Sequence, residues 1–270
     1  MQYEPIKRLL GRFFSGPVCM RIIYYTILDI ILLRTWHVKK TLKKISRHLP
    51  VSSSVLDAGS GPGQYTWFMG RKNRLWTITG VDIDSSMTDE CRKFFSKTSL
   101  SGRVRFITSG LETFTEPDKF DLIISIDVME HIQEDETVFY NFFRSLRSGG
   151  ILLISTPSDL GGSDVHSGDD KSFISEHVRD GYNMQEIKNK LASAGFNDIE
   201  GKYTYGKPGN ISWHLTMKYP VITLNRSYLF FLVLPIYYLV FFPVSIILNI
   251  FDLCFEHKTG TGLLITAKKA

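Results

Sequence analysis

Three glycines at alternate positions, Gly59, Gly61 and Gly63, lie directly behind the apolar stretch Ser54–Ala58 and ahead of a helix-forming run that opens at Gln64. No other feature of the chain constrains its fold as much. Glycine lets a backbone turn sharply off a strand and approach a ligand with no Cβ in the way. The residues that follow keep the same alternation. Trp76–Asp82 reads as a second strand with the helix Ser85–Lys97 after it, and Val104–Thr108 as a third strand. Phe120–Ile126 is a near-continuous apolar run, as expected of a strand covered on both faces. A helix over Glu134–Arg147, stopped by Ser148-Gly149-Gly150, leads to a strand over Ile151–Ser155. A polar loop from Pro157 to about His177 precedes a helix over Met184–Ala194, stopped by Gly195. Strands alternating with helices predict a doubly wound, mostly parallel α/β sheet with ligands at the carboxyl ends of the strands.

Charge and cysteine usage narrow the function classes. The chain carries a formal charge of +5, but residues 1–50 hold ten Lys/Arg against Glu4 and Asp29. The remaining 220 residues are net −3, so this is a mildly acidic body behind a basic leader and no nucleic-acid partner is expected. Cys19, Cys91 and Cys254 lie far apart, which excludes a disulfide scaffold and a thiolate zinc site and suits a reducing compartment. They read as small apolar core residues. The start of the chain lacks the immediate apolar stretch of a signal peptide. Residues 20–47 read instead as one or two amphipathic helices, with Ile22, Ile23, Ile27, Ile30 and Ile31 as a stripe and Lys39, Lys40, Lys43 and Lys44 as a basic end. Such helices pack as a lid on the domain or attach to an anionic membrane surface.

A dinucleotide fingerprint, G-x-G-x-x-G, would need its third glycine where Gln64 stands. Asp57 before a G-x-G-x-G turn, with Asp82 closing the second strand 19 residues beyond Gly63, instead resembles motif I of class I S-adenosylmethionine-dependent methyltransferases. Phe120-Asp121-Leu122-Ile123, Asp127-Val128-Met129-Glu130-His131-Ile132 and Leu146-Arg147-Ser148-Gly149-Gly150 match further signatures of that family. Glu176-His177-Val178-Arg179-Asp180-Gly181-Tyr182 with Ala194-Gly195-Phe196 resembles the subgroup that includes quinone and polyprenyl-phenol O-methyltransferases. The resemblance implies a Rossmann-like sheet with an antiparallel last strand and S-adenosyl-L-methionine as cofactor. It implies a cofactor site from Asp57, Gly59, Ser60, Gly61, Gly63, Asp82, Ile83, Gly110, Leu111, Asp127 and Val128, with Asp82 taking both ribose hydroxyls. Where the family often carries an Asp for the adenine amino group, Gly110 stands, leaving the Leu111 backbone or the Glu112 carboxylate for that task. The implied organisation is a basic helical region over 1–50, the methyltransferase domain over 51–208, an apolar insert over 209–254 and the final strand over 255–270.

Methyl transfer to a phenol or enol requires a base, and a histidine suits it. His131, His166 and His177 are the candidates. His131 is alternatively an orienting residue, His166 a solvated loop residue among Asp164, Asp169 and Asp170, and His177 a structural hydrogen-bond partner. Asp127, Glu130 and His131 also form a possible ligand set for a divalent ion such as Mg, since some quinone O-methyltransferases that the chain resembles need a metal.

Ser227–Phe251 is 25 residues without a charge. On length alone it would cross a membrane. Thr261–Lys269 resembles the last strand of the methyltransferase sheet, pairing with about Asn197–Tyr205, so the insert must leave and return on one side. A re-entrant hairpin or an in-plane helix pair, broken at Pro235 and Pro243, is expected at the cytoplasmic side of a membrane. A single span with an outside tail, or burial in an oligomer or under the N-terminal helices, are the alternatives. The resulting expectation is O-methylation of a small hydrophobic acceptor, a phenol, quinol or lipid-like molecule, at a membrane surface. An N- or C-methyltransferase, or a membrane adaptor with a degenerate domain, are the rival readings, and the oligomeric state is left open.

Overall fold

The structure is a computed structural model describing residues 17–161, 178–226 and 228–270, the side chains of 225–229 excepted. Two helices, α1 (Val18–Ile31) and α2 (Leu33–Ile45), precede strand β1 (Ser54–Ala58). Then follow α3 (Gln64–Lys72), β2 (Thr77–Asp82), α4 (Ser85–Phe95), β3 (Val104–Thr108), β4 (Phe120–Ile126), α5 (Asp135–Ser145) and β5 (Leu146–Pro157). After 162–177, α6 (Met184–Ser193) leads to β6 (Asn197–Thr204). The insert comprises α7 (Lys207–Trp213), α8 (Tyr219–Arg226) and α9 (Leu234–Cys254), and β7 (Gly262–Lys268) closes the described chain.

The seven strands run in the order β3-β2-β1-β4-β5-β7-β6, with β7 antiparallel to both neighbours and every other pair parallel. Strand order reverses between β1 and β4, which opens a ligand crevice at their carboxyl ends. All seven residues of β4 are buried, as its unbroken apolar sequence demands. Side-chain caps fix two helix starts: Asp84 accepts from the Ser86 and Met87 N–H groups, and Asn183 from those of Gln185 and Glu186.

Phe139, Phe142, Ile187, Leu191 and Phe196 cover one face of the sheet. The other face is covered by Met69 and Trp76 together with Val38, Leu42 and Ile45 of α2. Tyr25 of α1 joins Phe94, Phe95 and Phe106 in a third cluster. The helices of residues 18–45 therefore complete the sandwich instead of standing apart from it.

The helix expected over Glu134–Arg147 stops at Ser145. Leu146 pairs with Phe120, and the Gly149 N–H donates to the Lys269 carbonyl, so the edge of the sheet draws 146–150 into extended form. Of the cysteines only Cys91 is buried; Cys19 and Cys254 are exposed.

The insert departs from its expected form in one respect. Pro243 lies inside α9 without ending it, and Pro235 sits in the first turn, where the missing N–H costs nothing. The reversal comes earlier, between α8 and α9, and the two arms pack antiparallel. The Ser212 hydroxyl donates to the Ser245 carbonyl, and the Tyr237 and Tyr238 hydroxyls donate to the carbonyls of Leu215 and Thr216. Because β6 and β7 are neighbours, both arms return to the same side of the sheet. Of α9's most apolar window only 11 % is buried, and Leu239 is 78 % exposed.

A buried cluster pins the base of this hairpin to α2. The fully buried Asp252 carboxylate meets His37 Nε2 at 2.8 Å and His257 Nε2 at 3.2 Å, and accepts from the Gly209 N–H at 3.0 Å. Burial pushes Asp252's carboxyl up, but its imidazole partners bring it below the ordinary value; burial also lowers His37, against the pull of Asp252. The unfolded chain therefore binds more protons than the native one as pH drops below His37's ordinary 6.5. Stability from this cluster is present above that pH and lost progressively below it. His37→Ala should cost about 1–3 kcal/mol in urea denaturation at pH 7.5, and less at pH 5.

Candidate functional site

The turn between β1 and α3 is built by the glycines. Gly59 adopts φ +76° and lies so close to Val128 that a Cβ would overlap its side chain. The N–H groups of Gly59 and Ser60 donate to the Val81 carbonyl at 2.8 and 2.9 Å, holding the turn against the end of β2. Gly61 N–H donates to Asp82 Oδ2 at 2.7 Å, and Asp84 N–H to Oδ1 at 3.0 Å. Asp82 is thus fixed at the strand end.

A cavity of about 670 Å³ opens over this turn. It lies within the size range of small-ligand sites. Of the expected cofactor residues, Gly59, Ser60, Gly61, Asp82, Ile83, Gly110, Leu111, Asp127 and Val128 all line it, with Glu112 and His131. Asp57 and Gly63 do not. Asp57 is buried behind the turn, where it accepts from the Thr66 hydroxyl at 2.6 Å, and burial pushes its carboxyl up to about 6. It ties β1 to α3 under the glycines.

One wall comes from a part of the chain that the motifs did not implicate. Tyr24 and Leu28 of α1, Leu32 at the joint and Arg34 of α2 line the cavity. Arg21, fully buried, donates to the Pro62 carbonyl at 2.7 Å and to the Tyr25 hydroxyl at 2.8 Å, and Tyr25 donates to the same carbonyl. The isoleucine periodicity identified an amphipathic helix, but nothing in it pointed to the glycine turn.

Next to the larger cavity lies a second, of about 200 Å³. Arg34 and Asp127 line both, and they are ion-paired. Asp127 holds φ +52°, a costly conformation for a residue with a side chain, directly at the end of β4. Arg34 Nε is buried with no hydrogen-bond partner among the described residues. The smaller cavity is bounded further by Glu130, Thr156, Tyr205, Asn210 and Trp213. Glu130 is almost wholly buried, its carboxylate accepts from the Thr156 hydroxyl at 3.1 Å, and burial raises its pKa.

The metal set Asp127, Glu130 and His131 is not assembled. Among the described residues no three His, Cys, Asp or Glu side chains gather as an ion-holding group. Glu130 turns towards Thr156 in the sheet, Asp127 turns to Arg34, and His131 is exposed on the larger cavity. The residues present do not fit a bound cation. His166 and His177 lie outside the described residues.

Residues 55–150 match the sequence family described as methyltransferase domain. Phosphoethanolamine N-methyltransferase of Triticum aestivum is 31 % identical over 155 residues, covering 56 % of this chain and 29 % of that protein. The mitochondrial ubiquinone biosynthesis O-methyltransferase of Homo sapiens is 31 % identical over 123 residues, covering 43 % of this chain and 32 % of that protein. The match thus spans less than a third of either relative's length. Among solved structures, phosphoethanolamine N-methyltransferase 2 of Haemonchus contortus with S-adenosyl-L-methionine superposes with a TM-score of 0.58 at 20 % identity, over 91 % of this chain and 60 % of that one. With the strand order and the glycine turn, these matches support a methyltransferase domain of the class I S-adenosylmethionine-dependent kind over residues 55–150, set in a Rossmann-like sheet.

Proposed function

We propose that the chain transfers a methyl group from S-adenosylmethionine to a hydroxyl of a hydrophobic phenol, quinol or lipid-like acceptor at a membrane surface. The observation that carries this reading is the pair of cavities meeting at Arg34 and Asp127, one over the glycine turn and one walled by the apolar insert. The cofactor supplies an electrophilic methyl on a sulfonium. Asp82 would hold its ribose, Gly59–Gly61 its amino-acid end, and Ile83 and Leu111 its base. The protein's remaining task is to align the acceptor oxygen and keep water out. Tyr24 and Leu28 on α1 supply part of the larger cavity's wall. Among the described residues Glu130 is the base this geometry favours over His131: it is buried, lies on the acceptor cavity and is steadied by Thr156. Arg34 Nε is a donor available to an acceptor oxygen.

Size favours an acceptor that enters only in part. About 200 Å³ is below the range that encloses a whole drug-sized ligand, so a ring or headgroup fits and a tail does not. Asn210 and Trp213 wall this cavity from α7, which packs along α9. An apolar tail would therefore rest on the exposed hairpin. That hairpin is a monotopic attachment in this reading, because its two arms return to the side of the sheet. Alkaline carbonate extraction should leave the protein with the membranes; full release as a monodisperse detergent-free species would remove the membrane part of the proposal.

A second reading, N-methylation of an ethanolamine-type headgroup, is favoured by the wheat and nematode relatives and by two carboxylates, Asp127 and Glu130, on the acceptor cavity. Incubating lipid extracts with the enzyme and methyl-labelled cofactor, followed by mass spectrometry, separates the two. Label on phenolic or quinol lipids supports O-methylation. Label on amine lipids replaces it with the second reading, and label on neither class rejects both.

A further inference from the structure

We propose that α1 is a two-sided lid whose outer face docks on a lipid bilayer, so that membrane binding and cofactor binding strengthen each other. The inference rests on the cofactor reading above and goes beyond it. On its inner face α1 carries Arg21 and Tyr25, both bonded to the Pro62 carbonyl of the glycine turn, and Tyr24 and Leu28, which wall the cavity. Arg21 also donates to the Glu90 carbonyl at 3.2 Å, so the lid is fastened to α4 as well. The outer face is apolar. Ile23, Ile27 and Ile30 are 49 %, 45 % and 41 % exposed and, at spacings of four and three, form one stripe. A helix that merely sheathed a soluble domain would place its charges outward; here Arg21 is buried, Asp29 is half-buried and paired with Lys39, and the isoleucines face out.

The occupant is a bilayer on three grounds. The hairpin presents a second exposed apolar surface along α9. Lys40, Lys43 and Lys44 stand exposed on α2, the helix that continues directly from the lid, and suit anionic headgroups. That helix also grips the hairpin, through His37 to Asp252 and through the Lys40 ammonium to the Leu253 carbonyl at 2.7 Å. Lid, α2 and α9 are therefore joined, and a bilayer holding α9 also bears on α1. Lipid that binds the seated lid favours the state in which Pro62 is gripped and the cavity walled. By linkage, cofactor must then raise lipid affinity by the same factor.

The test uses the full chain and S-adenosylhomocysteine titrated calorimetrically, with and without vesicles of phosphatidylcholine containing one-quarter phosphatidylglycerol. Vesicles should tighten binding about tenfold, and saturating S-adenosylhomocysteine should raise vesicle affinity in sedimentation by about the same factor. The triple variant Ile23→Ser, Ile27→Ser, Ile30→Ser should keep its vesicle-free affinity, still sediment with vesicles through α9, and lose the tightening. Ile27→Asn alone should show part of that loss, which covers a triple variant that fails to fold. Equal affinity with and without vesicles, or tightening retained in the variants, overturns the proposal while leaving the cofactor reading intact. So does a stripe that proves to hold two copies together, seen as a dimer of the wild type that the variants dissociate and vesicles do not. No binding of S-adenosylhomocysteine under any condition overturns the cofactor reading itself.

Discussion

Asp82→Ala should weaken S-adenosylmethionine binding about a hundredfold or more. The Asp82 carboxylate stands at the carboxyl end of β2 on the cavity wall, and already accepts from the Gly61 N–H at 2.7 Å. Two ribose hydroxyls donating to it would form charge-assisted bonds, each worth roughly 1.5–3 kcal/mol. Losing both is a loss of about 3 kcal/mol at least, and 1.4 kcal/mol is tenfold. The substitution also frees Gly61, so the turn loses its tie to β2. Asp82→Asn keeps an oxygen for the Gly61 N–H and should fall between the two, at about tenfold. Calorimetric titration checks both, and an Asp82→Ala chain binding within threefold of the wild type would remove Asp82 from the cofactor site.

Glu130→Gln should lower kcat by roughly 10²–10³ with little change in cofactor affinity, because a general base contributes about 10²–10⁴. Glutamine keeps the volume and an acceptor for the Thr156 hydroxyl but cannot take a proton. Burial raises Glu130's pKa, and the base works only when ionised. Wild-type kcat/KM should therefore climb with pH through that raised value, and the climb should vanish in the variant. A variant with normal turnover and an unchanged pH profile would return the role to a histidine.

Much of the fold was legible because the strands are short, apolar and punctuated by glycine. β1, β3 and β4 fall on the stretches their sequence marks, and the antiparallel last strand was visible in Thr261–Lys269. The misreadings share one cause: contacts distant in sequence. Leu146–Gly150 looked like a helix end and its stop, but a neighbouring strand extends them. Pro243 looked like a break, but an inner-position proline is tolerated where a partner helix supports the segment. Within the site, the glycine turn and Asp82 were readable as local motifs. Arg34 was not, since its partner Asp127 lies 93 positions away and no spacing rule connects them. In sequence Glu130 reads as a carboxylate beside a histidine and a candidate metal ligand; its burial and its place on the smaller cavity, on which the proposed base role rests, depend on contacts distant in the chain.

The position of β7 has a consequence for synthesis. It fills the slot between β5 and β6, and Leu153 pairs with Thr266 across more than a hundred residues. A nascent chain therefore exposes the facing edges of β5 and β6, and then the whole apolar hairpin, before the strand that closes the sheet has left the ribosome. Non-local pairing of this kind is slow, and open edges beside apolar surface favour aggregation. Delivery of the hairpin to lipid during translation would shorten that exposure, so soluble expression should improve more with supplied membranes or detergent than with chaperones directed at the finished chain.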